Sequence, residues 1–536
     1  MPDRFEMMQL TRYPANWLRS IILVVTGPRR APPTYIPTMA VVAGIYFLLM
    51  QWSYLPLAEF DAYYHMGITE VIREHGFIRT FPWMSASILR DHFHDPQLLL
   101  HLLTLPLLSL GVEPVIAGKL IAAITATLFS TTFHWFLHRQ RVRYAALWTL
   151  VLLVASPYLI ARLTFIKTTA LFLSLLLGVL VALFEERRVA LFVLSWLTVV
   201  TYQGFPLVAV VALLYLGLRA LLRETRFQPD LLTPIILGIL AGLVISPFFP
   251  NNLRFLHFEL VQQILLKPKE LALGAEWEPI NTSRFLGSCG LGILFLFGSE
   301  IFATVARARS DAALVLVRSL AVLLLLGAML SARLIDYFVP FAILASAITV
   351  TRGLEALDDT RLGFRVASGI ALFLCLPLAA LNIKEALRIT STISRELAVD
   401  EYAKAAGWLE RNSAPGEVVV SQWDDFPMMF FFNRHNHYLW GLNAAYGYGY
   451  DPRIYTLITL MFEGRIRDPE SYLKQAKSRF ILVGRSSSYP GRKVLASMLE
   501  SSPWFDEVLE TGSLHLFQLR AAPKPVAAPT AVLTPR

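Results

Sequence analysis

Apolar stretches long enough to cross a bilayer recur along this chain as far as residue 384, and this repetition constrains the fold more than any other feature. The backbone in such stretches must satisfy its own hydrogen bonds, so they are read as helices. Composition agrees: 55% of the 536 residues are hydrophobic, only 16% are charged, and the mean hydropathy is positive. An ordinary soluble enzyme is excluded, and the class is a polytopic helical membrane protein. The formal charge of +9 does not indicate nucleic acid. The arginines stand in short clusters between apolar runs, a pattern that sets topology. Both cysteines, Cys289 and Cys375, fall within apolar segments, so neither a disulfide framework nor a thiolate metal site is implied.

The candidate spans are 38–55, 114–137, 144–158, 168–184, 189–203, 205–222, 231–249, 286–305, 312–331, 334–350 and 366–384, about eleven crossings. Residues 1–37 carry Arg4, Arg12, Arg19, Arg29 and Arg30 and are expected to remain cytoplasmic, with Trp17 to Val25 on the membrane surface. Alternation then places Arg139, Arg141 and Arg143, Arg187 and Arg188, Arg219, Arg223 and Arg226, Arg307 and Arg309, and Arg352, Arg361 and Arg365 on the same inner side. Counting the run from Pro96 to Gly111 as a crossing would invert every later loop, so it is expected to be a half-inserted or in-plane helix. Three pieces face outward: 56–113, 250–285 and everything after 384. Residues 385–520 contain short alternating runs at Glu417–Ser421 and Arg479–Val483 and read as a soluble α/β domain. Residues 521–536, rich in proline, read as a disordered tail.

The outward pieces carry the chemistry. AEFDAYYHMG places Glu59, Asp61 and His65 immediately after the first span, and in a helix Asp61 and His65 share a face. A carboxylate there can serve as a general base or hold a divalent cation, with the imidazole assisting; solvated acids on an interfacial helix are the plainer alternative. RDHFHDPQLLLHLL holds His92, His94, Asp95 and His101. Such His/Asp spacing can coordinate a metal, though without the regular spacing of a zinc motif; Asp95 is expected to do this as well as cap the following helix, and His101 to bond neighbouring backbone. In SPYLIARLTFIKTTA, Arg162 and Lys167 lie on the side normally poor in cations, which suits either an anionic ligand or snorkelling toward headgroups. Glu276 and Glu278 flank Trp277 in a loop punctuated by Gly and Pro, suited to a mobile flap. Arg333 and Asp336 are spaced to pair with each other, with Arg333 also able to meet a phosphate.

The order of these elements resembles the GT-C superfamily of integral-membrane glycosyltransferases, in particular the catalytic subunit of oligosaccharyltransferase and the protein mannosyltransferases. EFDAYYH is similar to the family's acidic first-loop motif, and HDPQLLLHLL to the His-Pro segment of the mannosyltransferases. AEWEP is similar to the flap glutamate and RLIDYF to the arginine that meets the donor phosphate. VVVSQWDDFP resembles the Trp-Trp-Asp motif that recognises an acceptor peptide, with Gln422 in place of the first Trp and Asp425, Phe426 and Pro427 after Trp423 and Asp424.

The resemblance implies protein glycosylation or a related transfer of sugar or oligosaccharide from a polyprenyl-phosphate or pyrophosphate donor to an acceptor (protein, lipid or glycan). This would occur at the outer face of a bacterial inner membrane, with the N-terminus cytoplasmic and the C-terminal domain periplasmic. The catalytic acids would be Asp61, Glu276 and Asp95, and the substrate-binding residues Arg333, Arg162, Lys167, His65, Trp423 and Asp424. A divalent cation, Mg or Mn, would sit on Asp61 and Glu276. Lys167 and two threonines stand where the family carries an Asp-rich motif, which leaves metal dependence open. Two other classes compete, a transporter or flippase of a lipid-linked substrate and a non-catalytic membrane assembly protein. A transporter is expected to show related halves and mid-membrane polar groups, whereas here the ionisable groups gather at one face.

Overall fold

The computed structural model describes residues 35–54, 56–265, 271, 274–357, 361–466 and 468–523. The expected surface segment Trp17 to Val25 and all but the first three residues of the expected tail lie outside them.

Five described helices are long and apolar enough to cross a bilayer: α1 (Tyr35–Trp52), α4 (Pro114–Arg139), α12 (Thr282–Val305), α13 (Ala312–Leu330) and α14 (Ile335–Ala356), the last continuing a short turn from Ala332. The chain is a multi-pass membrane protein. Helix α14 is buried along most of its length, while Val41, Ile45 and Leu49 of α1 and Leu323, Leu326 and Leu330 of α13 are exposed. Exposed apolar rows of this kind belong against lipid. The expected spans between 168 and 249 hold shorter apolar helices: α7 (Thr169–Phe184), α8 (Arg188–Val199), α9 (Pro206–Leu221) and α10 (Leu232–Ile245).

The expected crossing 144–158 is not straight. Helix α5 (Ala145–Val154) turns by 85° into α6 (Pro157–Thr164). Proline disfavours helical geometry in the residue before it, and Ser156 is accordingly extended, at φ −146° and ψ 121°. Its hydroxyl then accepts from the Leu159 N–H, so one dipeptide ends one helix and starts the next. The run expected to lie in the membrane plane forms α3 (Leu98–Ser109), whose 12 residues span roughly 18 Å, too short to cross.

The first long loop does not hang free. Its helix α2 (Phe60–His75) lies against α17 (Phe426–Phe432), and the two share one core that includes Tyr63, Tyr64, Phe81, Met84, Phe93, Phe426, Phe430, Tyr438 and Trp440. A second core fills the membrane helices. The expected domain boundary at 384 falls inside one helix, α15 (Arg361–Glu396), which carries the chain out of the apolar region.

The sheet that follows has strands β1 (Val418–Val420), β2 (His437–Tyr438), β3 (Phe480–Val483), β4 (Phe505–Thr511) and β5 (Leu514–Leu519), in the order β2-β1-β3-β5-β4. The first three are parallel neighbours, and β5 runs antiparallel to both β3 and β4. At the β2 edge the first loop pairs in turn: Met84 bridges Tyr438, the Tyr438 N–H donates to the Trp83 carbonyl at 2.8 Å, and the Ala86 N–H donates to that of Leu439 at 2.6 Å. An edge strand leaves backbone groups open, and residues 83–86 fill them.

Gly67 marks the closest approach of α2 to α17. A Cβ there would stand 3.0 Å from the Phe430 ring. Gly67→Leu is expected to destabilise the protein by about 1–3 kcal/mol through overpacking. The check is a lower unfolding midpoint of the purified variant in detergent.

Candidate active site

Four chain segments meet at one end of the membrane helices. The first is the entry to α2. Lys119, on α4, donates to the Gln51 and Tyr54 carbonyls at 2.9 and 2.6 Å, capping the end of α1 and fixing where the chain turns. Glu59 occupies the N-cap position of α2 with extended backbone but makes no side-chain cap. Its buried carboxylate turns to Lys167, and Asp61 follows in the first helical turn, where the helix dipole favours an anion. The 85° bend is the second approach, bringing Arg162 on α6 and Lys167 just beyond it. The third is the flap, where Glu276 sits on a single turn, Ala275–Trp277, held by Ser331, whose hydroxyl donates to the Glu276 carbonyl at 3.1 Å. The start of α14, with Arg333 and Asp336, is the fourth.

Glu276 is the hub. It lies 2.7 Å from Arg333, 3.0 Å from Arg162 and 3.6 Å from Lys167. Burial pushes its carboxyl up, but those three cations outweigh burial and hold it far below the usual range. Lys167 also lies 2.5 Å from Glu59 and 3.4 Å from Asp61. Burial opposes its charge, yet Glu276, Glu59 and Asp61 keep it protonated well above the usual lysine range. Burial raises Glu59 to about 7, against the pull of Lys167. It raises Asp61 too, and repulsion from Glu276 adds to the shift.

Arg333 and Asp336 do not pair with each other, as their spacing had suggested. Asp336 takes Arg162 at 3.0 Å, and Arg333 turns to Glu276 between the rings of Tyr202 and Trp277. The reason is Arg162, which the bend drives into the helix bundle, where it needs two carboxylates. Side-chain exposure divides the group further. Arg162 keeps 7% and Asp336 1%, whereas Asp61 keeps 29%, Glu276 24% and Arg333 21%. Asp61 and Arg333 are therefore the acid and the cation with most surface left for a ligand.

Asp95 and His65 belong to a second arrangement. His65 Nδ1 is 2.8 Å from His101 Nε2, and His101 Nδ1 is 2.6 Å from an Asp95 oxygen whose twin accepts from the Gln97 N–H. His101 thus bonds side chains at both nitrogens, in place of the expected backbone partner, because Asp95 lies within its reach across one turn of α3. Burial, His101 and the charge of Lys167 hold His65 well below the usual histidine range, so it is neutral. An Nδ1–H on each ring, pointing along the chain toward Asp95, satisfies both contacts.

Trp423 meets the edge of Phe60, the neighbour of Asp61, at 6.1 Å between ring centres. Asp424 is committed elsewhere. It is buried with Arg485 and with Arg492, 2.5 Å away, while Asp425 beside it accepts from Tyr402 at 2.5 Å and faces Arg492 at 3.3 Å. Asp424 thereby ties the end of β1 to the segment after β3.

A further acid, Glu259, was not marked by the sequence. It lies on a π-helical stretch, Phe258–Leu265, and accepts from the Tyr446 hydroxyl at 3.2 Å; burial raises it to about 7. Its signal is absent because FELVQQ has an ordinary helical pattern and the partner is 187 residues away.

Asp61 and Glu276 were the expected metal ligands. Mg binds oxygen at about 2.0–2.1 Å and Ca at about 2.3–2.6 Å, in shells of several oxygens. The space between these two carboxylates holds the Lys167 ammonium, 3.4 and 3.6 Å from them. As arranged, the donor set does not fit a divalent ion. Among the described residues the one cluster with metal-ligand proximity is Glu500, Glu507 and His515, on the sheet domain.

No protein-family model and no curated protein matches the sequence. Solved structures do. The oligosaccharyltransferase of Archaeoglobus fulgidus superposes with a TM-score of 0.61 over 88% of this chain and 73% of that one, at 10% identity. ArnT from Cupriavidus metallidurans, bound to undecaprenyl phosphate, gives 0.55 over 93% of this chain and 100% of that one, at 14% identity. The mycobacterial arabinofuranosyltransferase AftD gives 0.53 over 92% of this chain but 40% of its own length, also at 14% identity. All three are GT-C proteins, and the chain has the GT-C fold with a small C-terminal α/β unit.

Two outcomes follow from these environments. Asp424→Asn leaves Arg485 and Arg492 buried without a full counter-charge and is expected to cost roughly 3–5 kcal/mol, read as a fall in unfolding midpoint. Glu59 is raised from its usual 4.5 to about 7, so the folded state holds a proton that the unfolded chain has released. Its contribution to stability is complete below pH 4.5 and is lost as the pH rises through 7, a change on the order of 3 kcal/mol. Glu59→Gln should remove that part of the decline, measured as the wild-type minus variant midpoint between pH 5 and pH 8.

Proposed function

We propose that this protein is a glycosyltransferase that moves a sugar or oligosaccharide from a polyprenyl-phosphate or pyrophosphate carrier to an acceptor. The observation that carries the reading is the convergence of Asp61, Lys167, Glu276 and Arg333, from four separate connections, in one charged cluster at one end of the apolar helices. A carrier that stays in the bilayer requires a site at its surface. The arginine clusters occupy connections at the other end, which the positive-inside rule makes cytoplasmic, so the site faces the periplasm of a bacterial inner membrane.

Two proteins of this fold are described with such carriers, ArnT with undecaprenyl phosphate and the Archaeoglobus fulgidus AglB oligosaccharyltransferase with dolichol-phosphate and an inhibitory peptide. In the proposed reaction the bond from the anomeric carbon to the carrier oxygen breaks, and one from that carbon to the acceptor heteroatom forms. Asp61 takes the acceptor's proton; it is the most exposed acid of the cluster, and its raised pKa brings it nearer the working pH. Arg333 receives the departing phosphate and offsets its charge, the rings of Tyr202 and Trp277 holding it in place. Arg162, locked by Asp336 and Glu276, keeps the flap glutamate against the cluster. His65, backed by His101 and Asp95, is a neutral hydrogen-bonding group one turn from Asp61. Trp423 supports the acceptor side through Phe60.

The test is transfer from a labelled lipid-linked sugar by purified protein. Asp61→Ala should lower turnover on the order of 10²–10⁴-fold. Undiminished turnover in a folded variant removes the assignment, and carrier movement across vesicles without glycosyl transfer would favour a flippase.

A further inference from the structure

Three carboxylates, Glu59, Asp61 and Glu276, converge on one point, which usually marks a divalent-cation site. Here the point is filled by the chain itself. Lys167 Nζ lies 2.5, 3.4 and 3.6 Å from their oxygens, and its side chain is only 15% exposed. An ammonium has three donors, which matches three acceptors around it.

We propose that Lys167 is the resident cation of this site and that it makes the protein's activity independent of a divalent metal. Two features support this. First, the charges are already close to balanced. Four carboxylates (Glu59, Asp61, Glu276, Asp336) face three cations (Arg162, Lys167, Arg333). A divalent ion added among them would stand against Lys167 in a partly dry space, where like charges repel strongly.

Second, both oxygens of Glu276 are engaged. Glu276 gives one oxygen to Arg333 and the other to Arg162 and Lys167. A metal shell would have to strip these contacts before it formed. Lys167 therefore acts through the carboxylates. It offsets the repulsion between Asp61 and Glu276 and so holds Asp61 in place as a base. It is a positioning residue that does the electrostatic work of an ion.

The inference rests on the glycosyl-transfer reading only for activity; metal binding can be measured without substrate. The experiment uses the full-length protein, purified in detergent and dialysed against EDTA, with Mn2+ as the probe followed by electron paramagnetic resonance. Wild type should show no Mn2+ binding that Asp61→Asn removes. Lys167→Ala should gain one Mn2+ site, which the added Asp61→Asn or Glu276→Gln abolishes. In the transfer assay wild type should be indifferent to EDTA. Lys167→Ala should lose on the order of 10²-fold in turnover and regain part of it with Mn2+, and Lys167→Arg should keep most of it.

A wild-type Mn2+ site lost in Asp61→Asn overturns the proposal, as does a folded Lys167→Ala that gains none. If Lys167→Ala does not fold, Lys167→Gln, which keeps most of the stem, takes its place under the same criteria. If no transfer is detected at all, the Mn2+ measurements still decide the question.

Discussion

A carboxylate shared by three cations holds one end of this molecule's membrane helices together. Glu276 sits on a flap with little regular structure, tied to Arg333, Arg162 and Lys167 from two other connections. Removing water from so many charges is costly, and each pair offsets that cost only while the others stay in place. The cluster is therefore a poor source of net stability and a strong source of specificity. It fixes the flap, the bend after α5 and the start of α14 in one mutual arrangement. Everything proposed for catalysis depends on that arrangement.

Much of this was legible in the sequence. The apolar runs and arginine clusters place 59–61, 162–167, 276 and 333–336 on one side of a membrane, and the structure brings those positions into contact. The α/β character of the C-terminal part also follows from short alternating runs; β1 and β3 fall within those at 417–421 and 479–483. What escaped the sequence is partner choice. Arg333 and Asp336 are spaced to pair, yet each prefers a residue more than fifty positions away. His101 was expected on backbone and instead links His65 to Asp95. Asp424, expected at a substrate, is enclosed by Arg485 and Arg492, which no local pattern announces.

These misses share one physical origin. Periodicity reports which face of a segment is apolar, but a buried charge chooses its partner by three-dimensional access, and for Arg162 that access is created by the Ser156–Pro157 bend. Without that turn Arg162 would continue along a straight helix, away from Asp336. The signal for the bend, a serine before a proline inside an apolar run, is local and readable. Its consequence for residues 174 positions away is not.

The shared core of the first loop and the sheet unit has a consequence for biogenesis. Tyr63, Tyr64, Phe81 and Met84 emerge early in synthesis, yet the surfaces that cover them, Phe426, Phe430, Tyr438 and Trp440, belong to the last quarter of the chain. Until that part has folded onto it, the early loop carries naked aromatic side chains and an unmatched backbone edge, and Asp61 lacks its support. The site thus becomes competent only once residues 426–440 have been made and seated on the early loop, and a copy that stops short of them is held inert by their absence.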